Sequence, residues 1–181
     1  MDRTDATDPQ LHSFLFADIS GYSALTELEG DEAAADLAIS FGSEVARMAR
    51  DHGAEMVRQI GDAVMVHCPS AADAVELGLR LQTELQGFPP IHAGIHTGPA
   101  VQRADDWWGA TVNIAARVMA AAEADQLLVT EATTNAAGDT SRLPLQALSV
   151  LRLKNISAPV WVYSSSRAER LAMPAGVLQA A

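Results

Sequence analysis

Two aspartates stand where a sheet would bring them together. Asp18 lies in the apolar run His12–Ile19, near its end, and Asp62 follows Gly61 in a turn between two further apolar runs. If the first and third runs pair antiparallel, the end of one strand meets the start of the other, and the carboxylates converge. Such oxygens suit Mg²⁺ or Mn²⁺, and a carboxylate-bridged pair of these ions activates an attacking hydroxyl and stabilises a leaving pyrophosphate. Taken singly, each aspartate is more simply explained as a turn residue.

A second polar pair, Asn113 and Arg117, lies four residues apart in a predicted helix over residues 111–123. Residues at this spacing share a helix face, and this face lies away from the apolar stripe Val112, Ala115, Ala116 and Met119. Arginine binds phosphate through its planar fork, and asparagine offers a neutral donor and acceptor. Without a further signal, an ordinary solvated helix surface is the more common explanation of such a pair.

The pattern of apolar runs and turn residues predicts the elements that position these side chains. Four strands are predicted over His12–Ile19, Ala54–Ile60, Ala63–His67 and Ile91–Thr97. After a short helical stretch that ends at Gly30, one long helix is capped by Asp31 and stopped by Gly53, and another opens with a capping box at Ser70 and is closed by Pro89-Pro90. The order βαββαβ predicts an α+β fold with a ferredoxin-like core, in which an antiparallel sheet carries its helices on one face.

A C-terminal extension follows this core. It comprises a short strand around Val101, the helix over 111–123, a strand over 127–129, a small helix capped by Thr130, and strands over 148–153 and 160–163. We expect residues 1–10 to form a flexible acidic arm, residues 11–166 the folded domain, and residues 167–181 a tail.

Composition excludes several classes of function. The 181 residues carry 12 Lys and Arg against 23 Asp and Glu, a net charge of −11, which disfavours nucleic-acid and membrane-surface binding. An RNA-binding sheet of the same βαββαβ type is also disfavoured, because no aromatic, basic third strand matches Phe14 and Phe16. The single cysteine, Cys68, and the lack of a signal peptide or an apolar membrane span predict a cytoplasmic protein.

Four spaced motifs carry a family resemblance. They are Phe16–Tyr22 (FADISGY), Ile60–Met65 (IGDAVM), Gly94–Gly98 (GIHTG) and Trp108–Arg117 (WGATVNIAAR). In this order they resemble the motifs of class III adenylate and guanylate cyclases, and Leu153–Val160 is similar to that family's C-terminal strands. The resemblance covers about residues 12 to 164. It implies conversion of a nucleoside triphosphate to a 3′,5′-cyclic monophosphate and pyrophosphate, with two divalent ions, Mg²⁺ or Mn²⁺, in sites shared across a homodimer.

The resemblance also implies roles for individual residues in the metal and phosphate sites. Asp18 and Asp62 would be the metal carboxylates, with the carbonyl of Ile19 as a further ligand. The phosphates would be cradled by the backbone amides of three residues at the start of the next helix, Gly21, Tyr22 and Ser23.

Three further roles complete the implied site. Asn113 would orient the ribose and Arg117 would stabilise charge on the α-phosphate, both from the opposite subunit. Lys154, the lysine of the closing motif, would contact phosphate.

The base-binding positions depart from the family pattern. Adenylate cyclases of this family place a lysine three residues before the Gly-Asp pair and an acidic or polar residue two before the aromatic-Gly of the later motif. Here Asp106 fits adenine, but Arg58 stands where lysine is expected. The leading hypothesis is an adenylate cyclase that uses ATP. The alternatives are a cyclase with relaxed or GTP preference, and a non-catalytic nucleotide-binding module that keeps the fold.

Other polar and aromatic residues receive simpler interpretations. His92 and His96 share a strand face, but no third ligand for zinc is evident. Trp107 and Trp108 are candidate interface anchors, because tryptophan is enriched at such places. Cys68 has no mark of a nucleophile and is interpreted as structural.

Overall fold

The computed structural model describes residues 10–140 and 143–166, with the backbone alone at 147–149. The strands and helices, in chain order, are β1 Leu11–Ile19, α1 Tyr22–Glu29, α2 Asp31–Asp51, β2 Glu55–Ile60, β3 Ala63–Cys68, α3 Ala71–Glu84, β4 Ile91–Pro99, β5 Val101–Arg103, β6 Asp106–Trp108, α4 Ala110–Ala120, β7 Gln126–Thr130, α5 Glu131–Ala137, β8 Gln146–Leu151 and β9 Val160–Ser166. The predicted arm, apart from residue 10, and the predicted tail lie outside the described residues. No helix in the described ranges is both long and apolar enough to cross a membrane.

Within the described residues, seven strands form one sheet in the order β2-β3-β1-β4-β7-β9-β8. Strand β1 is antiparallel to both of its neighbours, β3 and β4, whereas β4 and β7 run parallel. The first four positions have the strand order of a ferredoxin-like core, and the remaining strands extend the sheet beyond β4. The predicted fold class, an α+β protein with a mainly antiparallel sheet, is confirmed.

Side chains that alternate along β1 divide the core between the two faces of the sheet. Leu15, Ala17 and Ile19 join the main core with α2 and α3, as the prediction of helices on one face requires. Phe14 instead faces α4, packing with Val112 in a smaller cluster. Helix α4 therefore lies on the opposite face of the sheet from the two core helices, a placement that the sequence analysis did not assign.

Two glycines of β4 allow α4 to lie directly on the strand. A Cβ on Gly94 would stand 2.2 Å from the backbone nitrogen of Met119, and one on Gly98 would stand 2.7 Å from Oγ1 of Thr111. The Thr111 hydroxyl also donates to the carbonyl of Pro99 at 2.6 Å. The end of β4 therefore meets the start of α4, and the helix runs back along the strand.

The start of α2 corrects one predicted helix cap. Gly30, with φ of 90°, is the residue before α2, and the Asp31 side chain makes no capping hydrogen bond. The chain turns between α1 and α2 in a conformation that favours glycine, so Asp31 already lies inside the first helical turn. There its charge complements the helix dipole instead of capping an amide.

Of the other two predicted caps, one forms its bond and one does not. Ser70 accepts from the amide of Asp73 at 3.4 Å, as the capping box predicts. Thr130 precedes α5 as predicted, but its hydroxyl makes no capping bond; instead it pairs with His96 Nδ1 at 2.9 Å and with Thr133 Oγ1 at 3.0 Å.

Strand β6 was not predicted from the sequence. It pairs with β5 in a hairpin whose turn residues Ala104 and Asp105 both have positive φ. Strands of three residues are too short to show alternation, and this turn contains no glycine.

Candidate active site

Asp18 and Asp62 meet at the edge of the sheet where β1 ends. In the antiparallel register, Ala17 pairs with Val64, which places Asp18 beside the turn that carries Asp62. The pKa of Asp62 is raised to about 6, chiefly by burial, and further by a hydrogen bond and charge repulsion from Asp18. The structure therefore brings the two predicted carboxylates together at one end of the β1–β3 pair.

The donor set suits a hard divalent cation. Two adjacent carboxylates repel one another, and a bound cation would relieve that repulsion. Neither here nor elsewhere in the described ranges are three or more His, Cys, Asp or Glu side chains grouped so that they could hold a metal ion. The site therefore fits ions such as Mg²⁺ or Mn²⁺, which accept one or two carboxylates and complete their shell with carbonyl, water and phosphate oxygens. Ile19, whose carbonyl is the predicted further ligand, follows Asp18 as the last residue of β1.

His92, on β4, joins this site although sequence analysis did not place it there. It is the cross-strand partner of Asp18, and its Nε2 lies 3.6 Å from Asp18 Oδ2. Its Nδ1 lies 3.0 Å from the hydroxyl of Ser20. Burial lowers the pKa of His92, while the charge of Asp62 opposes that shift. The β1–β4 register is the signal that could have found it, because cross-strand partners point to the same side of a sheet.

The predicted phosphate cradle lies at the start of α1. Gly21 adopts a left-handed conformation with φ of 78° immediately before the helix. The first amides of a helix have no intrahelical partner, and those of Gly21, Tyr22 and Ser23 belong to this group. The Tyr22 hydroxyl donates to the carbonyl of Ala34 at 2.8 Å, which fixes α1 against α2. The three amides therefore come three to five residues after Asp18 in the chain, as expected for an anion site next to a metal site.

The two predicted base contacts, Arg58 and Asp106, form an ion pair with each other. Arg58 Nη1 donates to Asp106 Oδ2, and Asp106 Oδ1 accepts from the amide of Trp107 at 2.8 Å. The Arg58 Nε is buried without a hydrogen-bond partner. A small pocket adjoins Arg58; its lining residues are Phe16, Arg58, Ile60, Ala63, Val64 and Met65.

The adjacent tryptophans occupy different environments. Trp107 is buried, and its ring stacks on that of His67 with centroids 4.3 Å apart and planes inclined by 22°. Trp108 is 57% exposed. Trp107 therefore anchors β6 to the sheet. This corrects its prediction as an interface anchor, because packing against His67 and His12 removes it from solvent.

Asn113 and Arg117 lie on α4 without polar partners in the described part of the chain. Asn113 is exposed and Arg117 half-buried, and neither makes a hydrogen bond or ion pair with Asp18 or Asp62. The predicted sharing of one helix face is present, but one chain does not join these residues to the metal carboxylates.

Lys154 also lies away from the carboxylates of its own chain. It is exposed in the loop between β8 and β9. Through the strand registers, the start of β9 aligns with the beginning of β1, at the edge of the sheet opposite Asp18 and three strands away. With strands about 4.8 Å apart and about 3.3 Å per residue, the separation is roughly 20 Å or more. The same chain's Lys154 therefore does not reach a phosphate held beside Asp18.

Comparison with known sequences agrees with these features. The sequence model of the family described as the adenylate and guanylate cyclase catalytic domain matches residues 7–154. A pH-sensitive adenylate cyclase of Mycobacterium tuberculosis is 37% identical over 130 residues, which cover 68% of this chain and 32% of that protein. An adenylate cyclase of Streptomyces griseus is 32% identical over 117 residues, covering 63% of this chain and 29% of that protein. The chain spans about a third of the length of these relatives.

Solved structures show the same architecture. The crystal structure of the adenylyl cyclase CyaB from P. aeruginosa has a TM-score of 0.74 and 25% identity, covering 90% of this chain and 97% of that one. A structure of adenylate cyclases from Trypanosoma brucei in their monomeric state has a TM-score of 0.78 at 21% identity, covering 90% and 93% of the two chains. The second likeness shows the fold alone.

Proposed function

Because the chain belongs to the family of adenylate and guanylate cyclase catalytic domains, we propose that it converts ATP to 3′,5′-cyclic AMP and pyrophosphate at two sites shared by a homodimer. The observation that carries this proposal is the meeting of the Asp18 and Asp62 carboxylates at the end of β1. The proposal places the reaction in the cytoplasm, in keeping with the lone, buried Cys68.

Two divalent ions, when bound, would activate the ribose 3′-hydroxyl and stabilise the leaving pyrophosphate. Asp18 and Asp62 would hold these ions, together with the carbonyl of Ile19. The amides of Gly21 and Tyr22 would hold the terminal phosphates, and that of Ser23 would complete the cradle. These groups form the metal half of each site, and all come from one chain.

The second half of each site would come from the other chain. Arg117 would place its guanidinium against the α-phosphate, where negative charge grows as the hydroxyl attacks. Asn113 would orient the ribose, and Lys154 would contact phosphate. Their separation from the carboxylates in a single chain supports this division, since neither Arg117 nor Asn113 bonds to Asp18 or Asp62 and Lys154 lies at the opposite edge of the sheet.

The base would be bound beside β6. Adenine offers an amino donor and a ring-nitrogen acceptor, which match the carboxylate of Asp106 and the guanidinium of Arg58. A second candidate is a cyclase with relaxed or GTP preference, and the Arg58–Asp106 pair is the observation that favours it. Guanine presents O6 and N7, for which arginine is the common bidentate partner.

The first experiment incubates the purified protein with ATP or GTP and Mn²⁺, and quantifies both cyclic nucleotides beside an Asp62→Ala control. We expect cyclic AMP from the intact chain alone. Faster formation of cyclic GMP from GTP than of cyclic AMP from ATP, at equal substrate concentration, would reject the ATP preference. ATP binding without any cyclic product would instead identify a non-catalytic nucleotide-binding module.

The shared site is tested by mixing two inactive variants. Asp62→Ala removes the metal half and Arg117→Ala the other half, so each homodimer lacks activity at both sites. In a mixed dimer one site is complete, and random assortment of equal amounts restores about a quarter of the wild-type rate. No recovery after co-refolding of the two chains, with mixed dimers verified by differential tags, would contradict the shared site.

A further inference from the structure

We propose that His92 is a positioning residue of the metal site, which holds the Asp18 carboxylate and the Ser20–Gly21 turn in one fixed arrangement. This inference rests on the proposed function, because it takes Asp18 as a metal ligand and Gly21 as part of the phosphate cradle. It adds a residue from β4 to a site otherwise built from β1, α1 and the β2–β3 turn.

The contacts of the imidazole define its hydrogen positions. An ionised carboxylate only accepts hydrogen bonds, so the ring nitrogen that faces it, His92 Nε2, carries the hydrogen. In the neutral ring Nδ1 is then an acceptor, and the Ser20 hydroxyl, 3.0 Å away, is its donor. The result is a directed chain in which Ser20 donates to His92 and His92 points its N–H at Asp18.

The turn is tied to β4 by a second bond that is independent of the imidazole. The amide of Ser20 donates to the carbonyl of Pro90 at 2.8 Å, one residue before β4 begins. Since Asp18 and His92 are cross-strand partners, the imidazole is held between the strand pair and the turn, with only 20% of its side chain exposed. Ser20 is therefore fixed at its backbone by Pro90 and at its side chain by His92.

Both oxygens of Asp18 face a donor group. Oδ1 accepts from the amide of Ile19 at 3.1 Å, and Oδ2 faces His92 at 3.6 Å. Each carboxylate oxygen accepts about two hydrogen bonds, so each keeps a lone pair for a cation. A carboxylate restrained in this way presents its free lone pairs in one direction. Loss of such an outer partner weakens metal binding by about 10- to 100-fold in metal sites generally.

His92 acts on the ion through Asp18 and is not itself a ligand. Its Nδ1 lone pair is used by Ser20, and its Nε2 bears a hydrogen that faces Asp18, so neither nitrogen is free to bind a cation. The described residues agree, since no three ligating side chains converge here.

The test compares substitutions that remove or keep one end of the chain. His92→Leu removes both contacts, His92→Asn keeps only the position that faces Ser20, and His92→Gln keeps a donor that reaches Asp18. A matched control is His96→Gln on the same strand, because His96 pairs with Thr130 and not with Asp18. Mn²⁺ binding to the nucleotide-free protein is measured by electron paramagnetic resonance titration, with the melting temperature recorded for each variant.

We expect His92→Leu and His92→Asn to weaken Mn²⁺ binding by about 10- to 100-fold, and His92→Gln to restore it to within about threefold. His96→Gln should keep the wild-type Mn²⁺ affinity even if its melting temperature falls. Should His92→Leu fail to fold, Ser20→Ala frees the ring at Nδ1 and is expected to weaken Mn²⁺ binding several-fold.

Either of two results would overturn this inference and leave the proposed function standing. The first is wild-type Mn²⁺ affinity in His92→Leu, or in Ser20→Ala if His92→Leu does not fold. The second is an equal loss of Mn²⁺ affinity in His92→Gln and His92→Leu. Failure of the wild-type protein to bind Mn²⁺ would instead overturn the metal site, and with it the role of His92. In kinetic assays, His92→Leu should have a lower apparent kcat than the wild type at subsaturating Mn²⁺, and added Mn²⁺ should restore it. A general loss of structure would not be reversed by added Mn²⁺.

Discussion

Arg58 and Asp106, the residues of the proposed base site, form an ion pair with each other. Asp106 is held on one side by the amide of Trp107 and on the other by Arg58, so its carboxylate is already oriented before a base arrives. A base bound at the proposed site would have to share or replace the ion pair. Base choice would therefore depend on how well the donor at position 58 serves the ring and Asp106 together.

Replacing Arg58 by lysine should shift selectivity toward ATP. Lysine presents a compact point charge that reaches a single ring nitrogen, whereas the arginine fork suits the two acceptors of guanine. We expect the ratio of kcat/KM for ATP to that for GTP to rise by about tenfold, or about 1.4 kcal/mol. The matched control is Arg103→Lys, at an exposed residue of the β5–β6 hairpin, which also carries Asp106. An unchanged ratio in Arg58→Lys would show that the guanidinium fork does not select the base.

His67 makes stability depend on pH. Burial, and secondarily the charge of His12, lowers its pKa to about 4. The unfolded ring gains a proton near pH 6.5, while the folded ring stays neutral down to about pH 4, so the unfolding free energy falls as pH drops through that window. Allowing for solvent screening at this half-buried site, the loss at pH 5 is about 1 kcal/mol.

His67→Phe keeps a ring against Trp107 and removes the titration. The variant should therefore lose about 1 kcal/mol less than the wild type between pH 7 and pH 5, as measured by urea unfolding at both values. A constant offset between the two proteins at both pH values would count against this account, since loss of the His12 contact alone gives such an offset.

The close approach of α4 to β4 depends on Gly94. An alanine there would drive its Cβ into the backbone of Met119, which can move only with the whole helix. Gly94→Ala should lower the unfolding free energy by about 2 to 3 kcal/mol and reduce activity, since α4 carries Asn113 and Arg117. Urea denaturation measures the unfolding free energy, and the cyclase assay measures the activity.

Gly42→Ala is the matched control. There the new Cβ meets the end of the Gln59 side chain, which can rotate away. This rotation breaks the hydrogen bonds that the Gln59 side-chain amide donates to the carbonyls of Ala38 and Gly61. The higher helix propensity of alanine offsets that loss, so we expect the unfolding free energy to change by no more than about 1 kcal/mol. Equal losses in the two variants would show that backbone contact does not distinguish Gly94.

Which elements could be predicted follows from their length and periodicity. The strands around Asp18 and Asp62 and the helix α2 carry long apolar patterns, so the core and the convergence of the carboxylates followed from the sequence. Strand β6 has three residues and shows no period. The face chosen by α4 depends on the absence of side chains at Gly94 and Gly98, which matters only once β4 lies in the sheet.

The residues of the candidate site likewise fall into those that the sequence could indicate and those that it could not. Family motifs indicated most of its residues, but spacing in the chain could not reveal His92, because its contact with Asp18 depends on the register of β1 and β4. The ion pair between Arg58 and Asp106 likewise arises from tertiary packing, where the bulge between Met56 and Arg58 and the stacked Trp107 bring β2 and β6 together.

Two tryptophans provide a test of the surface through which the proposed dimer forms. Trp108 and Trp161 are 57% and 56% exposed, but they lie on different parts of the molecule. Trp108 belongs to the hairpin that carries Asp106, with Val101 as its exposed cross-strand neighbour. Trp161 is adjacent to Val162, which packs toward α4, so the Trp161 side chain points to the other face of the sheet.

Trp108→Ser should weaken self-association by about tenfold or more, as loss of a central tryptophan does at interfaces. Trp161→Ser should leave self-association unchanged. Sedimentation velocity over a range of protein concentrations checks both. Equal effects of the two substitutions would indicate non-specific association through exposed apolar surface, and no effect of Trp108→Ser would remove the hairpin from the interface.

The span of the sheet between Asp18 and Lys154 has a consequence for output in a cell. If no chain can complete a site alone, then below the dissociation constant of the dimer the number of working sites rises with the square of the chain's abundance. Doubling expression would raise cyclic nucleotide synthesis about fourfold, and halving the chain's concentration would cut synthesis to about a quarter. Abundance itself would then act as an input signal, sharper than proportional, without any bound effector.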